Sequence, residues 1–161
     1  MRSSITKRLA LIAMIPATLL VVVAFASSAQ AAAVSPAKMS SDIVALTNQQ
    51  RALHGCGKLV VSPALGRAAV GHSAWMAKTG KFSHTGAGNS TFDKRVKAAG
   101  YARPLGENIA FGFGTGVEVV KAWMKSPGHR ANILNCKAKT IGVGVVYSAK
   151  GTAYQTQEFG Y

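Results

Sequence analysis

Acidic residues are scarce in this sequence. Five Asp and Glu stand against 19 Lys and Arg in 161 residues, which gives a formal net charge of +14. Such a surface attracts polyanions, so anionic cell-envelope polymers, acidic lipid headgroups and extracellular DNA are candidate partners. The basic residues are spread along the chain, without an aromatic stacking pattern or a nucleic-acid motif. Specific nucleic-acid binding is therefore not expected.

Long apolar runs are also scarce, and the one present lies at the start. Three basic residues precede an uncharged run from Leu9 to Ala26, a profile typical of a signal peptide. Small residues follow, so we expect cleavage near Ala31 to Ala33, which removes residues 1–31 and leaves a secreted protein with no membrane span. The alternative is an uncleaved anchor, because the run just reaches the length needed to cross a bilayer.

The chain has only two cysteines, Cys56 and Cys136. In an oxidising compartment, paired thiols form cross-links rather than metal ligands or nucleophiles. We expect a disulfide, which would stabilise the fold by roughly 4 kcal/mol through its long loop. A reactive thiol at Cys56, prompted by the nearby His54, is the weaker alternative.

The remaining residues predict one small monomeric domain of the α+β class. Residues 32–40 are expected to be a flexible lead, and the domain to span 41–161. Pro63 follows the capping residue Ser62, and Gly80 can end that helix. Alternation from Ile141 onward predicts a C-terminal β-hairpin. The expected helices are 42–53, 63–79, 91–98, 117–125 and 129–134, with a short extended segment at 59–61.

Spacing alone does not mark a functional site. His72 lies in an apolar helical stripe, which favours a hydrogen-bonded core histidine. Glu107 is expected in a loop, and Glu118 on a solvated helix face beside Lys121. His84 and His129 match no short metal-ligand motif. The glycine-rich segment 111–116 lacks the features of a phosphate-binding loop and is expected to be a flexible connection.

A family resemblance gives these residues a different weight. The motifs that carry it are Phe82-Ser83-His84-Thr85, Gly106-Glu107-Asn108-Ile109-Ala110, Glu118 ahead of Trp123-Met124, Ser126-Pro127-Gly128-His129-Arg130-Ala131-Asn132-Ile133-Leu134, Ile141-Gly142-Val143-Gly144 and Gln157-Glu158-Phe159-Gly160. In this order, over residues 41–160, they resemble the bacterial, SCP-like extracellular branch of the CAP superfamily. That superfamily comprises cysteine-rich secretory, antigen 5 and pathogenesis-related 1 proteins. The resemblance implies an α-β-α sandwich, with helices flanking a small central antiparallel sheet.

The same resemblance implies a tetrad of His84, Glu107, Glu118 and His129 facing a central cleft. Imidazole and carboxylate groups can hold zinc or another divalent cation, or they can form a closed hydrogen-bond network. Arg130 and its neighbours depart from the animal and plant pattern, so ligand preferences known for those members are not transferred. No cofactor is required by the sequence.

The sequence leaves three functions open. The favoured one is a non-enzymatic secreted binding module for a lipid, another hydrophobic small molecule or a cell-envelope ligand. A zinc-dependent hydrolase is the second, although four protein ligands would leave zinc no open position. A nucleophile scheme through Ser83 or Ser126 is weaker, because neither lies in a nucleophile elbow. The third is a structural, basic protein that attaches to the cell wall by charge.

Overall fold

The computed structural model describes residues 34–161; the expected signal peptide and its cleavage site lie outside this range. The described chain forms one four-stranded sheet of order β1-β3-β4-β2, with helices packed against it. The helices are α1 (Pro36–Leu53), α2 (Pro63–Thr79), α3 (Phe92–Ala98), α4 (Gly116–Lys125) and α5 (Pro127–Ile133), with a 3-10 turn at Ala87–Asn89. The strands are β1 (Val60–Val61), β2 (Pro104–Phe111), β3 (Thr140–Tyr147) and β4 (Ala153–Gly160).

Alternation along β3 builds the three layers. A Cβ at Gly142 or Gly144 would lie within 2.3 Å of the α2 backbone, so only glycine lets α2 approach this closely. Ile141 and Val145 point to the opposite face, where they share a core cluster with residues of α1, α4 and α5. The expected α-β-α sandwich is therefore confirmed. The sheet is mixed rather than purely antiparallel, because β1 runs parallel to β3.

Capping residues define where the first two helices begin. The side chain of Ser62 accepts a hydrogen bond from Leu65 N, and Gly80 ends α2 with φ of 69°, as expected. Ser35 caps α1 in the same way, so that this helix begins at Pro36 rather than near Asp42. The expectation of a flexible lead over 32–40 is therefore wrong from Pro36 onward.

The predicted loop around Pro104 and Gly106 is instead strand β2. It pairs antiparallel with β4, which places Glu107 opposite Glu158. The segment has the proline, glycine and polar residues of a loop, but its polar side chains are buried and hydrogen-bonded. Hydrogen bonding within the fold therefore overrides the loop-like composition, and it moves Glu107 from the predicted surface into the interior.

A disulfide joins Cys56 to Cys136, which confirms the expected pairing. Beside it, the fully buried Arg51 donates hydrogen bonds to four backbone carbonyls, those of Gly57, Ile133, Asn135 and Ala138. Burial lowers the pKa of Arg51. The disulfide and the guanidinium together hold the end of α1 against the segment that leads into β3.

Candidate functional site

Two carboxyl groups lie side by side on the paired strands β4 and β2, of which β2 is an edge strand of the sheet. Glu107 on β2 and Glu158 on β4 are directly paired, so their side chains point to the same face. Glu107 is 5% exposed and Glu158 is fully buried. Sequence reasoning included Glu107 and missed Glu158. Its signal was available, because one of only five acids falls within an alternating strand segment.

Three basic side chains surround Glu107. Nδ1 of His84 lies 2.8 Å from Oε1 of Glu107, and Nη2 of Arg95 lies 2.5 Å from Oε2. Nε2 of His72 is 4.0 Å from the same Oε2. Arg95 also donates to the carbonyls of His84 and Ser90, which fixes the loop that carries His84. The site is thus a buried carboxylate held by an imidazole and a guanidinium.

The two carboxyl groups carry different charges. Burial, followed by the charge of Glu107, raises the pKa of Glu158 well above its ordinary value. Burial would also raise the pKa of Glu107, but hydrogen bonds from His84 and Glu158 and the charge of Arg95 lower it overall. Neither oxygen of Glu158 has a hydrogen-bond partner among the described residues, so nothing there offsets the hydration that a buried charge would lose. Glu107 is the charged member and Glu158 the neutral one.

His72 supports this cluster from α2. Its Nε2 lies 2.9 Å from the carbonyl oxygen of Ser83, and the ring is 1% exposed, which confirms the hydrogen-bonded core histidine. Burial is the main cause that lowers the pKa of His72, which favours the neutral ring. The Nε2–H group then donates to the carbonyl of Ser83, and Nδ1 keeps its lone pair. A Cβ at Gly86 would lie 3.0 Å from that Nδ1. Glycine therefore lets the His84 loop close over His72.

The motif around Glu107 is locked to the motif around His129 by amide side chains. Asn132 Nδ2 donates to the carbonyl of Glu107 and to Oδ1 of Asn108. Asn108 Nδ2 in turn donates to the carbonyl of His129. A Cβ at Gly106 would lie 2.9 Å from Asn132 Oδ1. These contacts dock α5 on the free edge of β2 and explain the residue types in both motifs.

His129 lines an apolar pocket at this edge of the sheet. Its ring packs against Trp123, with ring centroids 6.4 Å apart. Burial and then the charge of His84 lower the pKa of His129. The pocket has a volume of about 360 Å³. The aromatic residues of its lining are Phe82, Phe111, Phe113 and Trp123.

The predicted tetrad is only partly assembled. The structure places His84 on Glu107, and the charge of His84 is the second cause, after burial, that lowers the pKa of His129. Glu118 is exposed, and its carboxylate accepts hydrogen bonds from the backbone N–H groups of Gly114 and Thr115. Thr115 returns a side-chain cap to Glu118 N, so the two form a capping box. Among the described residues, no hydrogen bond or ion pair joins Glu118 to His84 or His129.

The same residues bear on metal binding. Within residues 34–161, no three side chains of His, Cys, Asp or Glu converge in a way that could hold a metal ion. The tetrad does not fit a metal in this conformation, because Glu118 is engaged in its cap and Nδ1 of His84 is engaged with Glu107. Zinc binding by His84 and His129 therefore stays a prediction.

No nucleophile is paired with a histidine in the described part of the chain. The Oγ of Ser83 accepts a hydrogen bond from Thr85 N. Ser126 lines the apolar pocket together with His129, but no hydrogen bond joins them. What the site offers is one exposed imidazole oriented by a buried carboxylate, beside an apolar pocket.

The protein is an α-β-α sandwich in which the motif around Glu107 contacts the motif around His129 at the edge of β2. Residues 44–159 match the family described as "CAP: Cysteine-rich secretory protein family". The chain therefore belongs to the CAP family. In the helices of residues 34–161, no stretch is both long and apolar enough to cross a membrane.

Bacterial proteins are among its relatives. The uncharacterized protein YkwD of Bacillus subtilis is 41% identical over 119 residues, which are 73% of this chain and 45% of YkwD. An extracellular SCP-domain protein of Bacillus anthracis has a solved structure with a TM-score of 0.70 and 31% identity, covering 80% of this chain and 44% of that one. The chain thus spans less than half the length of these two relatives.

An outer surface protein of Borrelia burgdorferi shares the fold at greater distance. Its TM-score is 0.72 at 18% identity, and the match covers 80% of this chain and 96% of that one. The shared fold therefore accounts for nearly the whole of that solved chain.

Proposed function

We propose that this chain is a secreted binding module that holds a hydrophobic small molecule, such as a lipid, in the apolar pocket at the edge of β2. One observation carries the proposal. Phe82 and Phe111 are 46% and 49% exposed at this pocket, although most large apolar side chains of the fold are buried. Exposed aromatics that converge on a concave surface are typical of a ligand site.

The polar group beside the pocket suits an amphiphile. His84 follows Phe82 by two residues, and its side chain is 58% exposed although one nitrogen is held by Glu107. A ligand with an apolar tail in the pocket would place its polar head against this imidazole. The extracellular description of the Bacillus anthracis relative is consistent with export, which remains part of the proposal.

Binding of a series of saturated fatty acids tests the pocket. Each added CH₂ that enters the pocket contributes about 0.8 kcal/mol, so affinity should rise roughly fourfold per carbon until the pocket is full. Trp123 lines the pocket and provides an intrinsic fluorescence signal. An affinity that does not depend on chain length would contradict the proposal.

A variant that fills the pocket, compared with a matched control, tests whether binding is local. Ala122 lines the pocket from α4, so Ala122→Phe should abolish the chain-length dependence. Ala74 is exposed on α2 and lines none of the described pockets, so Ala74→Phe adds the same side chain without blocking the site. Equal loss in both variants would show that the effect is not local.

A hydrolase is the second candidate, because Glu107 orients the imidazole of His84 as a carboxylate orients a general base. Turnover of chromogenic esters or of peptidoglycan, lost in His84→Ala, would favour it. The binding module predicts that the wild-type protein shows no such turnover.

A zinc titration at neutral pH tests the metal prediction separately. A one-to-one isotherm that disappears in the His84→Ala, His129→Ala double variant, with the fold retained, would support a metal site. The absence of binding by the wild-type protein would remove the zinc-dependent hydrolase. Loss of folding in the double variant would instead mark these histidines as structural.

A further inference from the structure

A groove lies on another part of the surface, formed by three adjoining depressions. The first lies between α1 and α4, the second between α4 and α5, and the third beside the disulfide. Met124 and Lys125 line both the first and the second depression, and Leu134 lines both the second and the third. Because neighbouring depressions share lining residues, they follow one another along the surface, and together we call them a groove.

Basic side chains line this groove along its length. Each is exposed, and none takes part in an ion pair within residues 34–161. Like charges held close together repel, and a bound anion removes that repulsion. We call this surface the basic groove, defined by Arg103, Lys121, Lys125, Arg130, Lys137 and Lys139.

The acidic side chains of the chain are engaged elsewhere. Asp42 and Asp93 pair with lysines four residues away on their own helices. The two glutamates of the sheet are buried. Glu118 lies one turn before Lys121, but it accepts backbone hydrogen bonds and forms no ion pair with that lysine in the described chain. No Asp or Glu side chain therefore lines the basic groove, although all five lie in the described residues.

The floor of the groove limits the type of polyanion. Leu46, Met124 and Leu134 are half-buried there beside the exposed cations, whereas Val117 in the first depression is 60% exposed. Binding to a lipid surface uses a continuous face of protruding apolar side chains, which one valine does not provide. Binding to single-stranded nucleic acid uses aromatic platforms for the bases. The aromatic residue in the lining is Tyr161, whose ring lies under the Arg103 guanidinium at 5.1 Å.

We propose that the basic groove binds a flexible polymer of short carbon units joined by phosphodiesters and carrying no bases. Its carbon units would lie on the aliphatic floor, and its phosphates would reach the cations on the rim. The basic groove shares no lining residue with the apolar pocket at the edge of β2. It would therefore attach the domain to an anionic polymer while the apolar pocket holds its own ligand.

Binding of poly(glycerol phosphate) to the purified protein tests the proposal. The groove variant is Lys125→Gln, Arg130→Gln, Lys137→Gln. It should bind at least tenfold more weakly at low salt. The slope of log K against log salt should also become shallower by about 2, because a flexible single strand releases about 0.7 counterion per neutralised phosphate.

A control variant separates the groove from the overall charge. Lys78, Lys94 and Lys150 are exposed and line none of the described pockets, so changing these three to Gln removes the same net charge elsewhere. Unchanged binding in this control and weakened binding in the groove variant would support the proposal. Equal weakening in both variants, or no binding by the wild-type protein, would overturn it.

Competition distinguishes the class of polymer. An oligodeoxythymidine of equal charge and vesicles of phosphatidylglycerol should each displace poly(glycerol phosphate) poorly. If either bound the wild-type protein more tightly and lost that binding in the groove variant, the groove would serve nucleic acid or membrane, and the proposal would be wrong.

Discussion

Glu107 and Glu118 lie eleven residues apart, yet their surroundings differ completely. Glu107 is 5% exposed in a strand and bonds to His84 and Arg95, whereas Glu118 is exposed on a helix and bonds to its own backbone. One carboxylate organises side chains from three elements, and the other begins one helix. A shared motif pattern therefore does not give two residues a shared role; the partners that surround each one decide it.

Removing both sheet carboxylates should have the largest effect. In the double variant Glu107→Gln, Glu158→Gln, the guanidinium of Arg95, whose side chain is 11% exposed, has no anion beside it. Breaking a buried ion pair in this way costs about 3–5 kcal/mol. Urea unfolding at neutral pH measures the loss. Glu107→Gln alone should cost less, because Glu158 can then ionise and replace the missing charge. Equal costs would contradict the shared role of the two groups.

Local signals explain which parts of the fold were predictable. Ser62-Pro63 and Gly80 correctly predicted both ends of α2, and alternation from Ile141 correctly predicted the hairpin. The same Ser-Pro signal at Ser35-Pro36 marks the true start of α1, and the sequence prediction did not use it. These signals depend only on neighbours in the chain, so they can be read without the fold.

The errors at the site come from partners that are distant in sequence. Strand β2 resembled a loop because its polar residues find their hydrogen bonds on α5 and β4, more than twenty residues away. Glu158 gained its importance from the pairing of β2 with β4. For Glu118, however, the local pattern was informative, since Thr115 followed three residues later by Glu is a capping box.

Neutralising Glu158 alone should alter the pH dependence of stability. Its pKa in the folded protein is raised above the ordinary value of 4.5, so the folded state holds a proton that the unfolded state releases. This contribution to stability is fully present below pH 4.5 and is lost as the pH rises through the raised pKa. Glu158→Gln imitates the protonated form, so the fall in stability that Glu158 causes should be absent from its pH profile, and its stability should exceed the wild-type value at alkaline pH.

Urea unfolding of both proteins from pH 4.5, the ordinary pKa, into the alkaline range provides the measurement. A variant whose stability falls with pH as steeply as that of the wild-type protein would show that Glu158 is not the group responsible. Asp93 is a suitable control, because its pKa is lowered by the Thr91 hydroxyl and its side chain lies outside the sheet. Asp93→Asn should leave the alkaline limb unchanged.

The smallest change is expected at Glu118. Glu118→Ala removes the acceptor for the N–H groups of Gly114 and Thr115 at an exposed helix start, which costs about 0.5–1 kcal/mol. Glu118→Gln keeps an acceptor and should lose only a few tenths of a kcal/mol, from the charge near the helix N-terminus. Urea unfolding ranks the two variants. If Glu118→Ala were as costly as the double sheet variant, Glu118 would have a partner beyond its cap, and a tetrad joining it to the histidines would again be the better description. If Glu118→Ala costs little stability and ligand binding at the apolar pocket is unchanged, capping the helix is the whole role of Glu118. The polar site then consists of His84, Glu107, Glu158 and Arg95.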